Sequence, residues 1–91
     1  MKQNINNSFN FNNTDDVPIN SIISAYQYAN STPINGPISN SDSGYLIISL
    51  GAKVYDGYHV QIVFSSYPEK YICYRFYDRN YNTWSEWRYT K

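Results

Sequence analysis

The chain has 91 residues, enough for one small domain whose core lies near the lower size limit for independent stability. Net charge is zero and only 15% of residues are charged, so the basic excess that phosphate neutralisation needs is missing and a nucleic-acid partner is disfavoured. The single cysteine excludes an internal disulfide and a multi-thiolate metal site, and no apolar run is long enough to cross a bilayer.

The aromatic content is unusual: 11 Tyr, 4 Phe and 2 Trp make up 19% of the chain. Tyrosine joins a flat apolar ring to a polar tip, which suits both strand packing and half-wet contact surfaces. The chain opens on MKQNINNSFNFNN, which has neither the charged nor the apolar region of a signal peptide, so synthesis in a cytoplasm is expected. Residues 1–16 are nearly all Asn, Ser, Thr and Asp apart from Ile5, Phe9 and Phe11. Such a composition reads as a linker, or as an arm that orders against a partner, separate from a single domain over residues 17–91. Phe9 and Phe11 stand at alternate positions suited to anchoring an added strand.

From Val17 to Tyr28, Pro18 in a first turn after Thr14 or Asp15, with Ile19, Ile22, Ile23 and Tyr26 on one face, predicts a short helix. The β-branched residues leave an extended alternative around Ala25-Tyr26-Gln27-Tyr28. Asn30 to Ser43 is turn chemistry, with Pro33 and Asn35-Gly36-Pro37. Gly44 to Leu50 is an unbroken apolar run, expected as a central strand covered on both sides or passing from core to edge. Asp56-Gly57 signals a tight hairpin into a strand over His59 to Ser65, with Val60, Ile62 and Phe64 expected on the core side and His59, Gln61 and Val63 on the other. A turn at Ser66-Tyr67-Pro68-Glu69 follows.

The stretch Lys70 to Tyr89 carries both tryptophans and the densest run of rings. Ile72, Tyr74 and Phe76 alternate with Tyr71, Cys73, Arg75 and Tyr77, a strand with two distinct faces. After a polar turn at Asp78 to Asn82, Thr83 to Tyr89 returns as the second arm of a terminal hairpin. The expected fold is therefore mainly β, or α+β with one short N-terminal helix: a small antiparallel meander of about four strands.

Catalytic constellations are missing. His59 is the only histidine and has no nucleophile and carboxylate arranged around it. The acids Asp42, Asp56, Glu69 and Asp78 fall in turns, and Asp78 with Glu86, on either side of the last hairpin, is the one pair worth testing as paired carboxylates. The reading is a non-enzyme without cofactor or metal. A planar stripe of rings instead suits a sugar face, with Arg, Gln, Asn and Asp reading hydroxyls. The candidate glycan-binding residues are Tyr71, Arg75, Tyr77, Gln61 and His59 on the outer face, with Trp84 or Trp87 nearby. Two tryptophans at i and i+3 share a face only if a bulge intervenes; otherwise one is core and one is surface. One of them is expected to stack on the Arg75 guanidinium, either as part of a site or to close the end of the sheet.

Asn35-Gly36-Pro37, Gly44-Tyr45-Leu46, Val60-Gln61-Ile62, Tyr74-Arg75 and Thr83-Trp84-Ser85-Glu86-Trp87 occur in an order and spacing that resembles the knob domain of bacteriophage tail fibres and R-type pyocin fibres. The likeness runs from about Val17 to the end and leaves out residues 1–16. Ala25-Tyr26 departs from it, standing where members of that family often have glycine before an aromatic. The resemblance implies a β-rich module of a homotrimeric fibre, or one attached to a tail or baseplate, located in the virion. Its partners would be a host-surface glycan or other tail proteins, with no membrane insertion. The start at Met1 without a long shaft is expected of a small separate virion protein or of a cut-out domain. The alternative role is structural, with the Tyr-rich face and the Asn-rich arm docked on a neighbouring tail protein.

Overall fold

The computed structural model describes residues 2–27, 32–37, 43–51, 58–67 and 70–90. Within them the chain is all-β: β1 (Lys2–Ile5), β2 (Ser21–Gln27), β3 (Ser43–Gly51), β4 (His59–Tyr67), β5 (Tyr71–Asp78), β6 (Thr83–Trp84) and β7 (Arg88–Tyr89). They form one sheet in the order β1-β2-β3-β4-β5-β6, with β7 also paired to β5. β2 to β5 make the expected antiparallel meander, whereas β1 runs parallel to β2. The Asp56-Gly57 turn, Pro68, and the acids Asp42 and Glu69 lie outside the described residues.

The short helix expected from Val17 is replaced by β2. Ile22 and Ile23 are β-branched, and burial in β2 follows a period of two, with Ile23, Ala25 and Gln27 inward and Ile22 and Ser24 outward. The isoleucine spacing matched a helical stripe, but pairing with β3 from Ser21↔Ser49 to Gln27↔Ser43 decided the conformation.

A parallel neighbour requires a crossover. Here residues 6–20 supply it as irregular chain laid over one face of the sheet. The segment expected as an arm or linker therefore covers its own domain: Ile5, Phe9, Phe11 and Val17 are core residues. Its asparagines have a local purpose. Asn6 Oδ1 accepts from the Ser8 and Phe9 amides at 2.9 and 3.1 Å, Asn10 Oδ1 from Asn12 at 2.9 Å, and Asn13 Oδ1 from Asp15 at 2.8 Å. These Asx turns satisfy backbone that has no ladder to join. Long-range ties come from Phe11, whose amide donates to Ile34 O at 3.0 Å, and from Asn7 Oδ1, which accepts the Thr32 amide at 2.7 Å.

The crossover reverses the expected faces. Gln61, Val63 and Ser65 of β4, with Tyr71, Cys73 and Arg75 of β5, lie beneath it and are buried. Val60, Ile62 and Phe64, expected in the core, point to the opposite, open face. That face also carries Ile22 at 62% exposure, Leu50 at 47% and Phe76 at 51%. β3 is central but not covered on both sides: Tyr45, Ile47 and Ser49 are buried, while Leu46 and Leu50 are exposed. The polar residues of the covered face are accommodated by hydrogen bonds, as where Tyr45 Oη donates to Gln27 Oε1 at 3.1 Å.

Cys73 is fully buried opposite Val63. Burial pushes its thiol from 9.0 up to about 12, and the nearby Arg75 charge pulls it back only in part. The unfolded chain releases this proton first, so stability falls as pH rises past the unfolded value toward the folded one. Between about pH 8 and about pH 10 the unfolding free energy is expected to drop by about 1 kcal/mol, and Cys73→Ala to remove that drop. Urea titrations at both pH values check this; an equal decline in the variant would contradict it.

Candidate functional site

The β5–β6 turn positions the first indole. Asn80 donates its amide to Asp78 Oδ1 at 2.8 Å, and Asn82 takes a left-handed φ of 49°, bringing Trp84 opposite Tyr77. The ladder then breaks over residues 85–87, where Ser85 bonds Phe76 in both directions: its amide donates to Phe76 O at 2.7 Å and its hydroxyl accepts from Phe76 N at 2.9 Å. This interruption resolves the i, i+3 problem. Both tryptophans reach the same side, with Arg75 between them, its Cζ 4.1 Å from the Trp84 ring centroid and 4.7 Å from that of Trp87.

Trp87 is held from behind. Its Nε1 donates to Asn35 O at 3.0 Å, and Phe11 meets it edge-on at 5.7 Å, with Phe9 a further 5.2 Å from Phe11. Asn35 has φ 59°, and the next residue has no room for a side chain: a Cβ on Gly36 would lie 2.7 Å from Phe11 Cε1 and 2.9 Å from Pro33 Cγ. The Asn35-Gly36-Pro37 motif thus seats Phe11, which in turn backs Trp87. On the other side, His59 and Tyr77 continue the row, their rings 6.1 and 5.3 Å from Trp84.

The predicted site residues therefore divide into two groups. Gln61 at 2% exposure, Arg75 at 3% and Tyr71 at 8% are not on an outer face, because the crossover covers them. His59, Tyr77, Trp84 and Trp87 are half-buried and form the rim. Tyr71 lies apart, against Tyr89 at 5.4 Å. Beside the two indoles is a depression of about 310 Å³ that Asn12, Asn35, Thr83, Ser85 and Glu86 also line. A second depression of about 480 Å³ lies beyond His59 and Tyr77 and includes Leu50, Tyr58 and Asp78. Asp78 and Glu86 line different depressions. Asn12, Asn35 and Glu86 were not among the predicted site residues; the only sign of Asn35 was its place in the Asn-Gly-Pro turn.

A hydrogen-bonded chain runs under the rim. Gln61 Nε2 donates to Phe11 O at 2.7 Å, which turns Gln61 Oε1 toward Arg75 Nε at 2.9 Å. Arg75 Nη2 is buried and has no hydrogen-bond partner. Burial lowers the Arg75 pKa from 12.5 to about 10, and Cys73 pushes it back up. Among the described residues no group of three or more His, Cys, Asp or Glu side chains is placed to hold a metal ion, and no helix is long and apolar enough to cross a membrane. Comparisons with protein-family models, curated proteins and solved structures return no match, so the likeness to the tail-fibre knob rests on the chain's own residues.

Proposed function

We propose that this chain is a non-enzymatic knob module of a phage tail fibre or baseplate that recognises a host-surface glycan at the Trp84–Arg75–Trp87 clamp. The observation that carries the reading is the clamp itself: two half-exposed indoles fixed by a buried cation, beside a shallow polar depression. Flat rings with amide and hydroxyl groups around them match a sugar's C–H face and its hydroxyls, and they lose few torsions on binding. Weak single sites of this kind gain strength by avidity when several copies are presented together. Trp84→Ala is expected to abolish adsorption to host cells, or reduce it at least about tenfold, while the chain keeps a cooperative melt. Undiminished adsorption by the folded variant would remove the proposal.

A second reading has its own observation. The open face of β2 to β5 exposes Ile22, Leu46, Leu50, Phe64, Ile72 and Phe76, an apolar face of the kind that marks interaction sites. A structural virion role, docked on a neighbouring protein or on further copies of this chain, would cover it. The Asn-rich segment is not the docking arm in this reading, because it is engaged with its own sheet. Sedimentation is expected to show an oligomer that Phe76→Lys dissociates; a wild-type monomer that stays soluble at high concentration would count against self-association.

A further inference from the structure

Arg75 is a cation taken out of water. It is 3% exposed, and among the described residues no carboxylate pairs with it. Gln61 occupies Nε, the Trp84 and Trp87 rings lie 4.1 and 4.7 Å from Cζ, and Nη2 has no partner. Buried charges are ordinarily paired and fully hydrogen-bonded. Cation–π contact with two rings offsets part of the cost but satisfies no N–H. The buried, unpartnered Nη2 is the donor a ligand would satisfy, and a guanidinium edge is a fork suited to two oxygens of a carboxylate or phosphate. Arg75 lines the same depression as Trp84, Trp87, Asn12 and Asn35, and that depression, of about 310 Å³, is at the small end of ligand sites.

Resting on the saccharide reading above, we infer that the ligand is an anionic saccharide whose carboxylate or phosphate completes the Arg75 Nη edge while its ring packs against Trp84 or Trp87. Glu86 also lines the depression and is exposed, so its carboxylate opposes an incoming anion. It makes the site weaker than it would otherwise be, and its removal strengthens binding.

The test titrates the full chain, followed by tryptophan emission, with three probes: a galacturonic acid trimer, a galactose trimer and glucose 1-phosphate. An oxyanion-bearing probe is expected to bind at least about tenfold more tightly than the neutral trimer, the worth of one charge-assisted hydrogen bond. Preference for the galacturonate marks a carboxylate, and preference for the sugar phosphate marks a phosphorylated polymer. Arg75→Gln is expected to erase the preference, and Glu86→Gln, at an exposed position that leaves the core intact, to strengthen anion binding a few-fold. Equal binding of neutral and anionic probes overturns this inference and leaves the glycan reading standing. Absence of binding by all three defeats both. Anion binding that weakens in Glu86→Gln also overturns it.

Discussion

Phe11→Ala is expected to cost about 3–5 kcal/mol of stability, and deletion of residues 1–16 to leave a chain with no cooperative unfolding transition. Phe11 is 1% exposed, packs edge-on against Phe9 and Trp87, and fixes two parts of the fold through its backbone, at Ile34 O and at Gln61 Nε2. Truncation leaves a cavity of roughly ring size under the clamp, which its well-packed neighbours cannot close fully. A domain of this length has about 5–10 kcal/mol in total, so the single substitution removes a large part of it. The deletion goes further. It uncovers Val63, Tyr71 and Cys73 and strips Gln61 of an acceptor, on a sheet whose other face is already open. Circular dichroism melts decide the matter. A deletion variant that still melts cooperatively near the wild-type temperature would show that the crossover is an appendage after all.

Gln61→Leu is expected to cost about 3–5 kcal/mol, more than its modest change in volume suggests. The side chain is 2% exposed and serves two groups at once, accepting from Arg75 Nε and donating to the Phe11 carbonyl. Leucine fills the space but leaves a buried carbonyl without this donor and a buried guanidinium without its Nε hydrogen bond. The second effect is the larger, because the unpaired group is charged. Gln61→Glu separates the two contributions. A carboxylate there neutralises Arg75 but cannot donate to Phe11 O, so its stability should fall between wild type and Gln61→Leu. Chemical denaturation of the three proteins measures this. A Gln61→Leu protein as stable as wild type would mean that the relay contributes little.

The fold was legible where one physical signal dominated. The β5–β6 hairpin followed from the polar turn at Asp78 to Asn82, and the meander from alternation in β4 and β5. The tryptophan spacing left two outcomes open, an interruption or one core and one surface ring, and the break at residues 85–87 supplies the first. Face assignment failed because β4 and β5 carry apolar residues on both sides. Val60, Ile62 and Phe64 form the more hydrophobic row, yet the crossover covers the row with Gln61 and Arg75, whose polar atoms it helps to satisfy. Composition also misled at the N-terminus. Asparagine suggested chain too polar to order, whereas it was supplying Asx turns, and Phe9 and Phe11 were the residues that mattered. Asn12, Asn35 and Glu86 meet only because separate loops converge, and no periodicity signals such a meeting.

In the proposed function the ligand sits at the Trp84–Arg75–Trp87 clamp. The two indole N–H resonances of the full chain report on it directly during titration with polysaccharide extracted from a host it adsorbs to. The account predicts saturable shifts at both Trp84 and Trp87, with the Arg75 side-chain signals moving in step and the open-face residues Ile22 and Phe76 unmoved. Saturable shifts confined to the open face, with both indoles silent, would contradict it.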